Sequence, residues 1–208
     1  FRSSGLLNVV GEHMNGLQIA GIANITASKL NGVQIALCNY ATQARGLQIG
    51  LVNYYKEDMK GFQLGLVNAN PDTRVQMMVY GGNATPANIG VRFKNQLFYT
   101  ILGIGSMYQG LNDKFSASAS YRAGLSFTLY KGLSISGDLG YQHIEAFDNK
   151  DEVIPKRLYA LQARANLEYQ FTRKFGIFAT GGYGLTRFYN KSSNYDKGAI
   201  IEAGIVLF

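Results

Sequence analysis

Tryptophan is absent from this chain of 208 residues, cysteine occurs once and proline three times. The lone Cys38 excludes an intrachain disulfide and any zinc site built from several cysteines. A small residue on a strand wall is the expectation there. Scarce proline together with 25 glycines suits strands joined by tight turns. Charged residues make up 16%, against roughly 25% in soluble domains. Yet mean hydropathy is −0.05, and no apolar run approaches the roughly 18 residues of a membrane helix. Few charges without a long apolar run is the composition of a membrane β-barrel, in which half of each strand faces lipid and half a polar lumen. No charged segment followed by an apolar core follows Phe1, so an export signal is expected upstream.

The formal charge is +7, but the basic residues form neither a run nor a helical stripe, and nucleic acid is not an expected partner. Many fall at predicted turns: Lys29, Lys56, Lys60, Lys94, Lys114, Lys131, Arg173, Lys174, Lys191 and Lys197. Solvated loops near lipid headgroup phosphates account for them.

What the first third has in abundance is repetition. Gly16-Leu17-Gln18-Ile19-Ala20, Gly32-Val33-Gln34-Ile35-Ala36, Gly46-Leu47-Gln48-Ile49-Gly50 and Gly61-Phe62-Gln63-Leu64-Gly65 recur about every 15 residues, each followed by an asparagine: Asn24, Asn39, Asn53 and Asn68. A fainter copy lies at Gly5 to Asn8. The spacing fits a strand of about ten residues plus a turn, with Leu and Ile facing lipid and Gln and Gly facing inward. A β-solenoid with asparagines laddered at a corner is the competing architecture. The barrel is preferred because the repeats merge without a linker into long alternating strands.

Those strands occupy the rest of the chain. From Phe115 to Tyr130 one face carries Phe115, Tyr121, Leu125, Phe127 and Leu129, the other Ser116, Ser118, Ser120, Arg122 and Ser126. The stretch 158–171 alternates likewise. Further strands are expected at 88–94, 97–109, 132–147, 175–190 and 198–208. Tight connections alternate with long polar ones, as periplasmic turns alternate with extracellular loops in an up-and-down barrel. Tyr108, Tyr130, Tyr159, Tyr169 and Tyr189 near strand ends would form the interfacial belts. The expectation is an all-β chain, one transmembrane antiparallel up-and-down β-barrel of about 12–14 strands spanning 1–208. Within it, 5–80 supplies repeat-derived strands and 88–208 the long ones.

The chain ends Glu202-Ala203-Gly204-Ile205-Val206-Leu207-Phe208. This resembles the C-terminal assembly signal of bacterial outer-membrane proteins, with Gly204, Leu207 and Phe208 as its signature residues. The Gly-Leu-Gln-Ile-Gly-Leu-Val-Asn repeats resemble surface-repeat outer-membrane proteins of Bacteroidota and spirochaetes. The resemblance implies an outer-membrane location, contact with outer-membrane lipid or lipopolysaccharide, and delivery to the barrel-assembly machinery. It implies no reaction.

Chemistry is sparse. His13 and His143 lack neighbours at metal-ligand spacing, and no cofactor is expected. The most enzyme-like stretch is Tyr141-Gln142-His143-Ile144-Glu145, where His143 and Glu145 share an outward face near the rim. A lipid A-modifying hydrolase would need a serine there, and Ser134 and Ser136 lie on the other face. The second constellation is Arg92, Arg122, Asp138, Arg164, Glu168 and Glu202, all assigned to the lumen. Charges there must be paired or hydrated, which favours a blocked or very narrow pore. The leading expectation is a non-enzymatic accessory subunit of a larger outer-membrane complex, packed against another outer-membrane protein. The alternative is a porin-like channel for small solutes.

Overall fold

The computed structural model describes residues 1–106, 115–147, 157–189 and 194–208. All regular structure is β, divided into two compact units, Phe1–Thr73 and Arg74–Phe208. The expected single barrel over 1–208 is therefore corrected: the barrel begins at Arg74, and the repeats build something else.

The first unit holds β1 (Arg2–Ser4), β2 (Leu7–Val10), β3 (Met14–Ala20), β4 (Ala23–Ile35), β5 (Cys38–Ile49), β6 (Val52–Leu64) and β7 (Val67–Ala69). Every pairing in it is parallel, and the repeat residues meet like with like. Gln18 pairs with Gln34, Gln34 with Gln48 and Gln48 with Gln63; Asn24 pairs with Asn39, Asn39 with Asn53 and Asn53 with Asn68. This is the solenoid reading, and the repeat itself explains why it prevails. Identical residues at a near-constant spacing meet only when successive coils stack in parallel; an antiparallel hairpin would set each Gln opposite a different residue.

The stack is held from inside by amide ladders. Gln34 Nε2 donates to Gln18 Oε1 at 2.9 Å, Gln48 Nε2 to Gln34 Oε1 at 2.8 Å and Gln63 Nε2 to Gln48 Oε1 at 2.8 Å. Asn24 Nδ2 donates to Asn39 Oδ1, Asn39 to Asn53 and Asn53 to Asn68, at 2.9–3.1 Å. The repeat glycines bend the coil: Gly32, Gly46 and Gly61 have φ of +143°, +130° and +146°, and a Cβ at Gly46 would lie 2.0 Å from the Gly32 carbonyl oxygen. Only glycine permits both that backbone and that approach.

The second unit is a closed antiparallel barrel of eight strands in the order β10-β11-β12-β13-β14-β15-β8-β9. They are β8 (Arg74–Gly82), β9 (Ala87–Asn95), β10 (Phe98–Ser106), β11 (Ser116–Tyr130), β12 (Leu133–Ala146), β13 (Arg157–Gln170), β14 (Phe175–Phe188) and β15 (Asn194–Leu207). The count of about 12–14 is corrected to eight, because the repeat strands pair among themselves. Seven strands coincide with expected ones. The eighth, β8, escaped notice because both its faces are apolar: Val75, Met77 and Val79 point out, while Met78 and Tyr80 join Gln76 inside.

Strands β9–β10, β11–β12 and β13–β14 meet at tight turns, where Gln96 (φ 49°) and Gly132 (φ 80°) take left-handed conformations. Phe208 N–H donates to the Lys174 carbonyl at this same end. The other strand ends, at Ser106, Ala146, Arg157 and Phe188, lie on the opposite side. Tyr108, Lys114 and Lys191 lie outside the described residues. Five lysines are corrected: Lys29 sits within β4, Lys56 and Lys60 within β6, Lys197 within β15, and Lys94 within β9, where its Nζ donates to Ser126 Oγ at 2.9 Å. Cys38, expected on a barrel wall, is exposed on the repeat unit instead.

Candidate functional site: a filled lumen and an aromatic rim

Alternation along each barrel strand sorts side chains by polarity in the reverse of a soluble protein. Outward positions carry Leu125, Phe127, Leu139, Leu161, Leu167, Ile177 and Ile201, all exposed. Inward positions carry Ser118, Arg122, Ser136, Asp138, Gln142, Gln162, Arg164, Asn166 and Glu168, all buried. An apolar exterior round a polar interior is unstable in water and is what a bilayer requires. At about 3.3 Å per residue and a 45° tilt, strands of 14 or 15 residues exceed the roughly 25 Å apolar band. Two aromatic girdles bound it. Tyr169, Phe171 and Phe175 cluster at the short-turn end, and Tyr141, Tyr159 and Tyr189 at the other. The protein is an integral outer-membrane β-barrel.

All six charges assigned to the lumen lie inside, and the fold pairs them. Arg92 grips Glu168 with both terminal nitrogens at 2.7 and 3.0 Å, while its Nε donates to Gln76 Oε1 at 2.6 Å. Arg122 meets Asp138 at 2.8 and 2.9 Å. Arg164 Nε lies 3.2 Å from Glu202 Oε2, and Arg122 Nη1 reaches the same oxygen at 3.7 Å. Arg164 Nη2 also donates to Glu202 Oε1 at 3.3 Å, whereas the approaches to Oε2 are not aligned as hydrogen bonds and act by charge alone. Three cations balance three anions, which avoids the cost of an uncompensated ion.

Neighbouring residues complete the packing. Tyr99 Oη and Asn166 Nδ2 both donate to Asp138 Oδ2 at 2.8 Å, and Thr180 Oγ1 donates to Asn166 Oδ1 at 2.6 Å. Inward glycines make room for the arginines: a Cβ at Gly140 would lie 3.0 Å from Arg164 Nη1 and 3.1 Å from Arg122 Cγ. Sequence reasoning missed Tyr99, Gln76 and Thr180. Tyr99 is opposite Gly124 on the inward face, a pairing set by strand register.

Above the ion pairs the lumen closes. Gln162 Nε2 donates to Gln142 Oε1 at 3.0 Å, and Gln142 Nε2 to Ser118 Oγ at 2.8 Å. The β8–β9 turn folds inward over them: Thr85 is 2% exposed, and Gln142 Nε2 lies 3.4 Å from its Oγ1. Asn83 pins this turn to β15, donating to Ala199 O at 2.7 Å and accepting from Ile201 N–H at 2.9 Å. Ile144, Ala146, Leu158 and Ala160 form an apolar layer with Phe188 and Tyr195. A second apolar cluster of Met78, Tyr80, Tyr99, Ile101, Phe178 and Val206 takes in Phe208. Of the assembly-signal residues, Gly204 lies against Tyr80, where a Cβ would come within 2.4 Å.

On the outer rim, His143 and Glu145 do share a face. His143 Nδ1 lies 2.7 Å from Tyr189 Oη, Nε2 lies 3.3 Å from Glu145 Oε2, and Arg157 Nε donates to Glu145 at 3.0 Å. Tyr141 and Tyr189 also bond through their hydroxyls. Ser136 is buried in the lumen beside Asn166. Among the described residues, the hydroxyl on His143 is thus a tyrosine's within the girdle.

No protein-family model matches the chain, and no curated protein matches it. Among solved structures, the N-terminal β-barrel domain of Pseudomonas aeruginosa OprF is similar at 15% identity and TM-score 0.43, covering 64% of this chain and 93% of that one. Yersinia pestis Ail in a phospholipid nanodisc gives 15% identity and TM-score 0.40, over 65% and 99% of the two chains. Neisserial surface protein A gives 9% identity and TM-score 0.39, over 64% and 92%.

Proposed function

We propose that the protein is a non-enzymatic structural barrel, an accessory subunit of a larger outer-membrane assembly rather than a solute channel. The observation that carries this reading is the filled lumen: three buried ion pairs, an amide layer and an inward turn occupy the path a solute would take. A barrel without a path works through its outer wall and its appended repeat unit.

The wall is asymmetric. Strands β8, β9 and β10 have nine residues each, and a recess of about 840 Å³ opens beside the β8–β9 turn, lined by outward Val79, Ile89, Ile104 and Ile205 together with Asn88 and Ser118. A recess in an apolar wall suits a protein neighbour within the membrane, another outer-membrane protein. Extraction in a mild detergent and co-purification from native membranes test it. A stoichiometric partner that is lost on Ile89→Arg/Ile104→Arg substitution is the expected result; clean monomers would overturn it.

A further inference from the structure

The repeat unit is not uniformly polar outside. Each coil has two halves of opposite character. Around Lys29, Gln43, Arg45, Glu57, Asp58 and Lys60 the outward residues are charged or polar, and the interior is apolar: Met14, Leu30, Ala41 and Ala44, with Met59 against them. That is the arrangement of a water-soluble solenoid. At the opposite corner the polarity reverses. The interior there is the Asn and Gln ladders, and the exterior is a column of Leu6, Ile22, Leu37, Leu51 and Leu66, exposed by 65, 51, 49, 49 and 38%. Val52, Phe62 and Leu64 extend it on the flanks, also exposed. No charged residue falls among these positions.

Backbone groups at this corner are spent within the stack. Ile22 N–H donates to Leu6 O at 2.9 Å, Cys38 N–H to Ile22 O at 2.8 Å, Val52 N–H to Leu37 O at 2.9 Å and Val67 N–H to Leu51 O at 2.9 Å. The buried amides likewise bond one another, with Gln18 Nε2 at the end of its column the exception. Apolar surface outside, polar ladders bonded to themselves inside and corner backbone bonded within the stack are the conditions a lipid environment sets. A water-soluble protein partner would demand only the first.

We infer that this corner of the repeat unit is a monotopic membrane-binding edge, seated in the acyl region of one leaflet while the charged corner stays in water. The dimensions agree. The apolar half runs two or three residues either side of the corner, about 10 Å at 3.3 Å per residue, within the roughly 15 Å hydrocarbon depth of one leaflet. Stacked coils about 4.8 Å apart give the column a length of about 20 Å. The occupant is lipid acyl chain, and a protein covering the same column is the competing outcome.

Cys38, the only cysteine, stands exposed beside Leu37 and serves as a native probe. The full chain is labelled there with an environment-sensitive fluorophore and reconstituted alone into phospholipid vesicles. A Glu57→Cys variant in a Cys38→Ser background provides the opposite corner. Nitroxide-bearing acyl chains should quench the label at 38 and leave the label at 57 untouched, while aqueous iodide should do the reverse. Leu37→Arg/Leu51→Arg should bring the label at 38 to the behaviour of position 57, with strand content by circular dichroism unchanged. Equal iodide access at both positions would overturn the inference. So would lipid access at 38 in vesicles that native membranes replace with cross-linking to a protein. These readouts are separate from partner co-purification, so either reading can fail alone.

Discussion

The repeat unit and the barrel both place polar side chains inside, yet they satisfy them by opposite rules. The solenoid matches like with like: an amide is both donor and acceptor, so a column of Gln or Asn completes itself along a parallel stack. The barrel matches unlike with unlike: antiparallel neighbours and cross-lumen partners bring Arg to Glu and Arg to Asp. A column of identical charges would be destabilised by repulsion. Neutral amides therefore suit a repeated coil, and complementary ions suit a closed wall whose strands all differ.

The sharpest way to separate the two rules is to break one ion pair. Asp138→Ala removes the hydrogen-bonded partner of buried Arg122 and leaves it only Glu202 at 3.7 Å as a charged partner, with an expected loss of about 3 kcal/mol of barrel stability. Urea unfolding in lipid vesicles, followed by the heat-dependent gel shift of folded barrels, reads it. The amides of Gln34 and Gln48 should keep their hydrogen-exchange protection. The converse is Gly46→Ala, which forces a left-handed backbone worth about 1–3 kcal/mol and drives a Cβ against the Gly32 carbonyl. Exchange should rise across β4, β5 and β6 while the barrel's gel shift stays in place. Cutting the ladder chemically is milder: Gln48→Leu leaves Gln34 Oε1 and Gln63 Nε2 without their partner, about 1–3 kcal/mol for each buried group. The smallest effect is expected at the rim. Arg157→Ala removes an exposed ion pair with Glu145 and should change barrel stability by no more than about 1 kcal/mol.

That contrast also explains what could be read from the sequence. Alternation from residue 88 onward placed the strands and the inward faces, because a two-residue period has one meaning once one side is greasy and the other polar. Arg92, Arg122, Asp138, Arg164, Glu168 and Glu202 were legible as lumen residues for this reason. Their partners were not, since pairing depends on cross-barrel distances that no single strand encodes. In the repeats the same alternation was ambiguous. A strand with Gln inside and Leu outside fits a barrel wall or one half of an inverted coil. The discriminating clue was the recurrence of identical residues at near-constant spacing, which favours parallel stacking. Residues 74–82 stayed hidden because Met77, Met78, Val79 and Tyr80 read as one apolar run.

Everything functional here depends on a lumen that is full. Single-channel recording of the purified full chain in planar lipid bilayers tests that most directly. A flat baseline across both polarities, with folded barrel verified in the same preparation, is the predicted record. Uniform, reproducible conductance steps would mean that the ion pairs and the inward turn leave a water-filled path, and the sealed-barrel account would be wrong.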